Sequence, residues 1–190
     1  MDGNPIKDID MTKIALVVGS LSRQSINLSI AEYIAAQAPQ GVEVEEVAIA
    51  DLRLYTQDLD AETVPAYNNR VRAQLKAADA VLIVSPEHNR SIPAAMKNLI
   101  DAASRPFGQS VWGGKKTAVV TASPGGYGGI NSGLHLRQSL QSLGADVLIP
   151  SEAFWGKANA ALDENGKVAD ERTQGFLNKF AAAFYAWAGK

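Results

Sequence analysis

Three serines, an asparagine and one arginine crowd a single short segment, Gly19-Ser20-Leu21-Ser22-Arg23-Gln24-Ser25-Ile26-Asn27. Hydroxyls, an amide, a cation and free loop N–H groups at the opening of a helix suit a phosphate, because the helix dipole adds its positive end. The segment lacks the Gly-Lys-Ser/Thr ending of a Walker A loop, and one glycine stands where the dinucleotide fingerprint has three. A monophosphate held by hydroxyls and one arginine is the ligand it suggests. The same serines could do no more than cap the helix.

A second segment, Ser85-Pro86-Glu87-His88-Asn89-Arg90-Ser91-Ile92-Pro93, carries polar residues between two stiffening prolines. A rigid polar loop of this kind can offer backbone and side-chain hydrogen bonds to a flat heterocycle. Alternatively, Glu87 and His88 are simply solvated. A third segment, Ser123-Pro124-Gly125-Gly126-Tyr127-Gly128-Gly129, has glycines that remove the Cβ atoms which would hold a ring away from the backbone. It reads either as a seat for a planar ligand or as a flexible turn.

Each segment follows an apolar run that must position it. Ile14 to Val18, Ala80 to Val84 and Thr117 to Val120 are apolar on both strand faces, as strands of a helix-covered parallel sheet are. Val42 to Val47 is interrupted by glutamates and suits an edge, and Val147-Leu148-Ile149 is a short fifth strand. Helical spacing links Ile26, Ile30 and Ile34; Val71, Leu75 and Ala78; Met96, Leu99, Ile100 and Ala103; Ile130, Leu134 and Leu140; and Phe176, Leu177, Phe180, Ala181 and Phe184. Strand and helix alternate five times, which predicts an α/β fold with a doubly wound, five-stranded parallel sheet in the flavodoxin-like order 2-1-3-4-5 and helices on both faces. Ligands of such sheets lie at the carboxyl ends of the strands, where the order reverses between strands one and three. The three segments all fall there. Residues 151–170 read as an insertion before the last helix.

Composition narrows the chemistry. The 190 residues suit one domain over 11–190, with 1–10 a flexible, polar N-terminal extension lacking a secretory pattern. Eighteen basic against 20 acidic residues leave a net charge of -2, which argues against nucleic acid and an anionic membrane surface as partners. With no cysteine, disulfides, thiolate metal sites and a cysteine nucleophile are excluded, so redox chemistry requires a cofactor. A soluble cytoplasmic protein without membrane insertion is expected.

Gly19-Ser20 through Ser25-x-Asn27, then Pro86-Glu87-x-Asn89-x-Ser91-x-Pro93 running into Leu99-Ile100-Asp101, then Ser123 with its glycines, together resemble the NAD(P)H-dependent FMN reductases. These flavodoxin-like flavoenzymes include bacterial quinone and chromate reductases, and the likeness extends from about Lys13 to Phe184. It implies that Ser20, Arg23, Ser25 and Asn27 hold the FMN phosphate, with Ser22 and Ile26 in the same cradle. It implies further that Pro86, Glu87, His88 and Asn89, with Ser91, line the isoalloxazine, and that Ser123, Gly125 and Gly126 contact its pyrimidine side. His88 departs from the aromatic residue common at its position, and Arg23 lies three residues after Ser20 where many members have the basic residue at two.

The activity so implied is hydride transfer from NADH or NADPH to flavin N5 and on to a small-molecule acceptor, quinones first and chromate or other metal anions second, by a ping-pong mechanism. No protein group is expected to act as an obligatory acid or base, because the flavin carries the reactivity. The rivals are a flavin reductase that releases reduced FMN to a partner enzyme and a flavodoxin-type electron carrier. A homodimer or homotetramer is implied, meeting at Asp101 to Phe107. Arg105 either attracts anionic acceptors at the rim of the assembled site or pairs with a carboxylate across that contact.

Overall fold

The apolar runs become the interior of one parallel sheet. In the computed structural model the described residues are 11–60, 66–149 and 153–190. The expected extension 1–10 and positions 151–152 of the expected insertion lie outside them. Strand β1 (Thr12–Val18) pairs with β2 (Val42–Glu46) on one side and β3 (Ala80–Ser85) on the other, and β3 pairs with β4 (Lys116–Ala122). Every residue of β3 and all but the first of β4 are buried, whereas the glutamates of β2 are exposed at the edge.

The fifth position differs from the single strand expected. It is filled by two short strands, β5 (Asp146–Val147) beside the start of β4 and β6 (Ala153–Trp155) beside its end, giving the order β2-β1-β3-β4-β5 with β6 on the same side of β4. Ile149, expected in the strand, is 72% exposed. Leu148 still donates its N–H to Thr117 O at 2.9 Å, and Ala153 pairs with Val120 farther along β4.

Helices α1 (Ile26–Ala35) and α5 (Glu171–Ala188) cover one face, where Ile30, Ile34, Phe180 and Phe184 pack on Leu16, Leu82 and Val120. Helices α2 (Ala66–Ala77), α3 (Ala94–Ala103) and α4 (Ile130–Ser142) cover the other, with Leu75, Met96, Leu99 and Leu136 against Val17, Ile83 and Val119. Each fully buried aliphatic side chain of this kind contributes about 1.5–3 kcal/mol. Helix α4 buries only one of the three residues its spacing suggests, Leu140. Ile130 and Leu134 point outward, while Gly133, Leu136 and Leu140 face the sheet. Asp170 caps α5, accepting from the Thr173 hydroxyl and N–H at 2.6 and 2.7 Å, bonds that hold its carboxyl below the usual carboxylate range.

Candidate functional site

At the exit of β1, Gly19 donates its N–H to Val84 O at 2.8 Å, and a Cβ there would overlap the Ser85 side chain. The first loop therefore starts pressed against β3. Leu21 to Gln24 are exposed, and Ser22 N–H reaches Ser20 Oγ at 3.3 Å. Ser25 is the N-cap of α1, its Oγ accepting from Leu28 N–H at 3.2 Å. That bond leaves the first-turn N–H groups of Ile26 and Asn27 to an outside acceptor. Arg23 lines a cleft of about 600 Å³ between α1 and residues 159–167, and no carboxylate among the described residues pairs with it. Asn27 is buried and donates from Nδ2 to Ala122 O at 3.2 Å, tying α1 to the end of β4, while its Oδ1 has no partner among the described residues.

The second loop is a tight two-residue hairpin. His88 N–H donates to Ser91 O at 3.0 Å and Ser91 N–H to His88 O at 2.9 Å, with Asn89 and Arg90 both left-handed at φ 47° and 65°. Ser91 Oγ lies 3.0 Å from His135 Nδ1 on α4. Helix α4 begins after Gly129, which has no side chain with which to cap it. Glu87 does so from the neighbouring loop, its Oε2 accepting from Asn131 N–H at 2.9 Å and Ser132 N–H at 3.2 Å. Its place is thus at the helix end, with only 13% of its side chain exposed.

The third loop docks on the strand that the sequence left unread. Ser123 N–H donates to Trp155 O at 3.1 Å, Lys157 N–H to Gly125 O at 3.0 Å and Ala158 N–H to Ser123 O at 3.1 Å. Thr121 Oγ1 donates to Gly128 O at 2.8 Å, and Ser123 Oγ accepts from Gly125 N–H at 2.9 Å. Gly128, at φ +64°, has the Phe154 carbonyl carbon 2.6 Å from where a Cβ would stand. Gly126 instead opens onto empty space, and Tyr127 beside it is 72% exposed.

The structure thus gathers Ser20, Ser22, Arg23, Ser25, Ile26 and Asn27 on one loop, and Pro86 through Ser91 on the next. Ser123, Gly125 and Gly126 stand on the third, all at the carboxyl end of the sheet. Arg105 is elsewhere. It follows α3, whose ten residues span about 15 Å from Pro93. Its guanidinium is 3.9 Å from Asp60 and 5.9 Å from the centre of the Tyr55 ring, so it has a carboxylate partner within its own chain. Tyr55 donates to both Asp60 oxygens at 3.2 Å, and burial, opposed by Arg105, pushes its hydroxyl up from the ordinary value. Sequence reasoning missed the supporting segment Phe154 to Ala158. Its one signal is Gly156, whose Cβ would overlap the Gly126 carbonyl.

These residues fit a flat ligand with a phosphate tail. The α1 amino end and Arg23 border an open cleft against residues 159–167, and the glycine loop leaves open space at Gly126. Comparison with known proteins agrees. The profile of the NADPH-dependent FMN reductase family matches residues 12–160. A quinone reductase of Pseudomonas putida is 44% identical over 174 residues, covering 92% of this chain and 93% of that protein. A 2-hydroxy-1,4-benzoquinone reductase of a Burkholderia species is 39% identical over 175 residues, covering 92% and 95%. Among solved structures, FerB, a flavoenzyme NAD(P)H:(acceptor) oxidoreductase from Paracoccus denitrificans, superposes with a TM-score of 0.86 at 35% identity, covering 94% of this chain and 98% of that one. No helix among the described residues is long and apolar enough to cross a membrane.

Proposed function

The chain belongs to the NADPH-dependent FMN reductase family, and from that premise we propose that it is an FMN-dependent NAD(P)H:quinone oxidoreductase. The observation that carries the reading is the convergence of three loops on the switch point, with the α1 amino end and Arg23 open to a phosphate. The quinone reductase names of the relatives at 44% and 39% identity support the acceptor class.

When bound, FMN supplies the two-electron chemistry between reduced nicotinamide and acceptor. The chain's own residues bind and orient. Arg23 and the first-turn N–H groups of α1 take the phosphate, with Ser20 and Ser22 beside them. Ser25 acts by fixing the helix end, and Asn27 by holding α1 against β4. Pro86, His88, Asn89 and Ser91 form the rigid wall of the ring site, and Glu87 locks that wall to α4. Ser123, Gly125 and Gly126 form the opposite wall. The nicotinamide brings two electrons and one proton, the second proton comes from solvent, and the quinone leaves as hydroquinone. Nicotinamide and acceptor enter the same opening in turn. Chromate is a second acceptor in this proposal, and the reduced nicotinamide pool it consumes places the protein in the cytoplasm.

We also propose a homodimer or homotetramer built from residues 11–190 as a single domain. Phe107 is 91% exposed and Leu54 is 75% exposed, flanking the Tyr55–Arg105 contact at the end of α3. Sedimentation at assay concentration tests it, and a fully active monomer overturns it. The function is tested by loading the protein with FMN and recording its visible spectrum under NADH and then NADPH. Bleaching that 1,4-benzoquinone reverses, with steady turnover, is expected. Failure to take up FMN overturns the reading, and FMN uptake without steady NAD(P)H oxidation leaves an electron carrier instead.

A further inference from the structure

The loops after β3 and β4, which form two sides of the candidate site, contribute one acid, Glu87, and one arginine, Arg90. Their charges do not cancel. Glu87 gives one carboxylate oxygen to two N–H groups of α4, so the helix dipole already answers its charge. Its other oxygen is 3.8 Å from Arg90 Nη1, and the Arg90 side chain is 67% exposed, which makes that pair weak. A largely uncompensated cation therefore stands at the mouth of the site.

Arg90 is held there rather than waving in solvent. Its backbone is fixed at φ 65° by the paired hydrogen bonds of the hairpin, a conformation unfavourable for arginine and imposed by the turn. Its guanidinium carbon lies 5.5 Å from the centre of the Tyr127 ring, so it reaches from the loop after β3 to the loop after β4. Tyr127 itself is an exposed aromatic on a glycine-rich loop, with no burial to explain it. A planar cation against an exposed ring, both beside the opening, is a recognition surface for a flat molecule bearing negative charge.

We propose that Arg90, positioned by Tyr127, selects planar anionic acceptors, namely ionised hydroxyquinones and quinones carrying a carboxylate or sulfonate. This rests on the quinone reductase reading and names the acceptors that it favours. Arg105, paired with Asp60, has no part in it.

The test uses the FMN-loaded protein with two probes of one ring system, neutral 1,4-naphthoquinone and 1,4-naphthoquinone-2-sulfonate. The variant is Arg90→Asn, because asparagine tolerates the left-handed turn. Its KM for the sulfonate should rise of the order of tenfold, as expected for one lost charge-assisted contact, while KM for the neutral quinone and for NADH and NADPH stays put. Arg90→Lys should fall between. Independently of turnover, calorimetric binding of 2-naphthalenesulfonate should weaken by a similar factor, and in the parent protein should weaken with added NaCl. An equal rise for both quinones would reduce Arg90 to a loop brace, and a rise for NADPH alone would make it a reader of the 2′-phosphate. Either result overturns the proposal. If the parent protein reduces neither quinone, the function is wrong, and the calorimetry still decides whether Arg90 binds planar anions.

Discussion

Glu87 and Asn131 are joined from the loop after β3 to the helix after β4, carboxylate Oε2 to backbone N–H at 2.9 Å, so the wall of the candidate ring site is also the cap of helix α4. Removing a helix cap costs about 0.5–2 kcal/mol. Glu87→Ala should lower stability by about that much and should weaken FMN retention at the same time. Glu87→Gln, which keeps an acceptor, should recover most of both. Thermal melts of apo and FMN-loaded protein check this; loss of stability without loss of FMN would separate the cap from the site.

Arg23 has no carboxylate partner among the described residues, so its removal should spare the fold. Arg23→Ala should weaken FMN by about 1.5–3 kcal/mol, the worth of a charge-assisted bond, and leave riboflavin binding little changed. Ser25→Ala is not equivalent, because Ser25 caps α1 and its loss acts on the helix as well. Equilibrium titration with both flavins reads the difference, and equal affinities for FMN in parent and Arg23→Ala would remove this loop as the phosphate seat.

Gly133 lies on the buried face of α4, where a Cβ would overlap the Phe154 ring. Gly133→Ala improves helix propensity by up to about 1 kcal/mol, yet overpacking costs about 1–3 kcal/mol. The net should be destabilising, and Phe154→Leu should relieve it. Urea unfolding of the single and double variants gives the coupling.

Tyr185 is buried and donates to Ile34 O at 2.9 Å, and burial pushes its hydroxyl up to about 12. In the unfolded chain it ionises near 10. Its contribution is therefore complete below about pH 10 and is lost as pH rises toward 12, because the unfolded state gives up its proton first. Urea midpoints between pH 8 and 11.5 should fall more steeply for the parent than for Tyr185→Phe. Parallel slopes would assign alkaline unfolding to other groups.

The sheet was legible because β1, β3 and β4 are apolar on both faces while β2 alternates with glutamate, and burial alone then orders them. The loops were legible because proline, glycine and serine cluster directly after the apolar runs of β1, β3 and β4. The split edge was not, since Val147-Leu148-Ile149 has the composition of a strand whether or not its last residue pairs. On α4 only Leu140 of the expected residues is buried, because Gly133 and Arg137, neither of which reads as a core residue, share the inner face with Leu136 while Ile130 and Leu134 turn outward. Glu87's role as a cap depends on a partner 44 residues away, and no local spacing carries that.

The divided edge beyond β4 also bears on how the protein behaves when crowded. An unpaired strand is a template on which another chain can add, and its hazard grows with unbroken length. Here, among the described residues, that flank offers two residues at Asp146–Val147 and three at Ala153–Trp155 as separate strands, and the opposite flank is studded with Glu43, Glu45 and Glu46. Neither margin can be extended by a stranger without breaking register or setting carboxylates against one another. Edge-to-edge addition of one copy to another is thereby disfavoured at both margins.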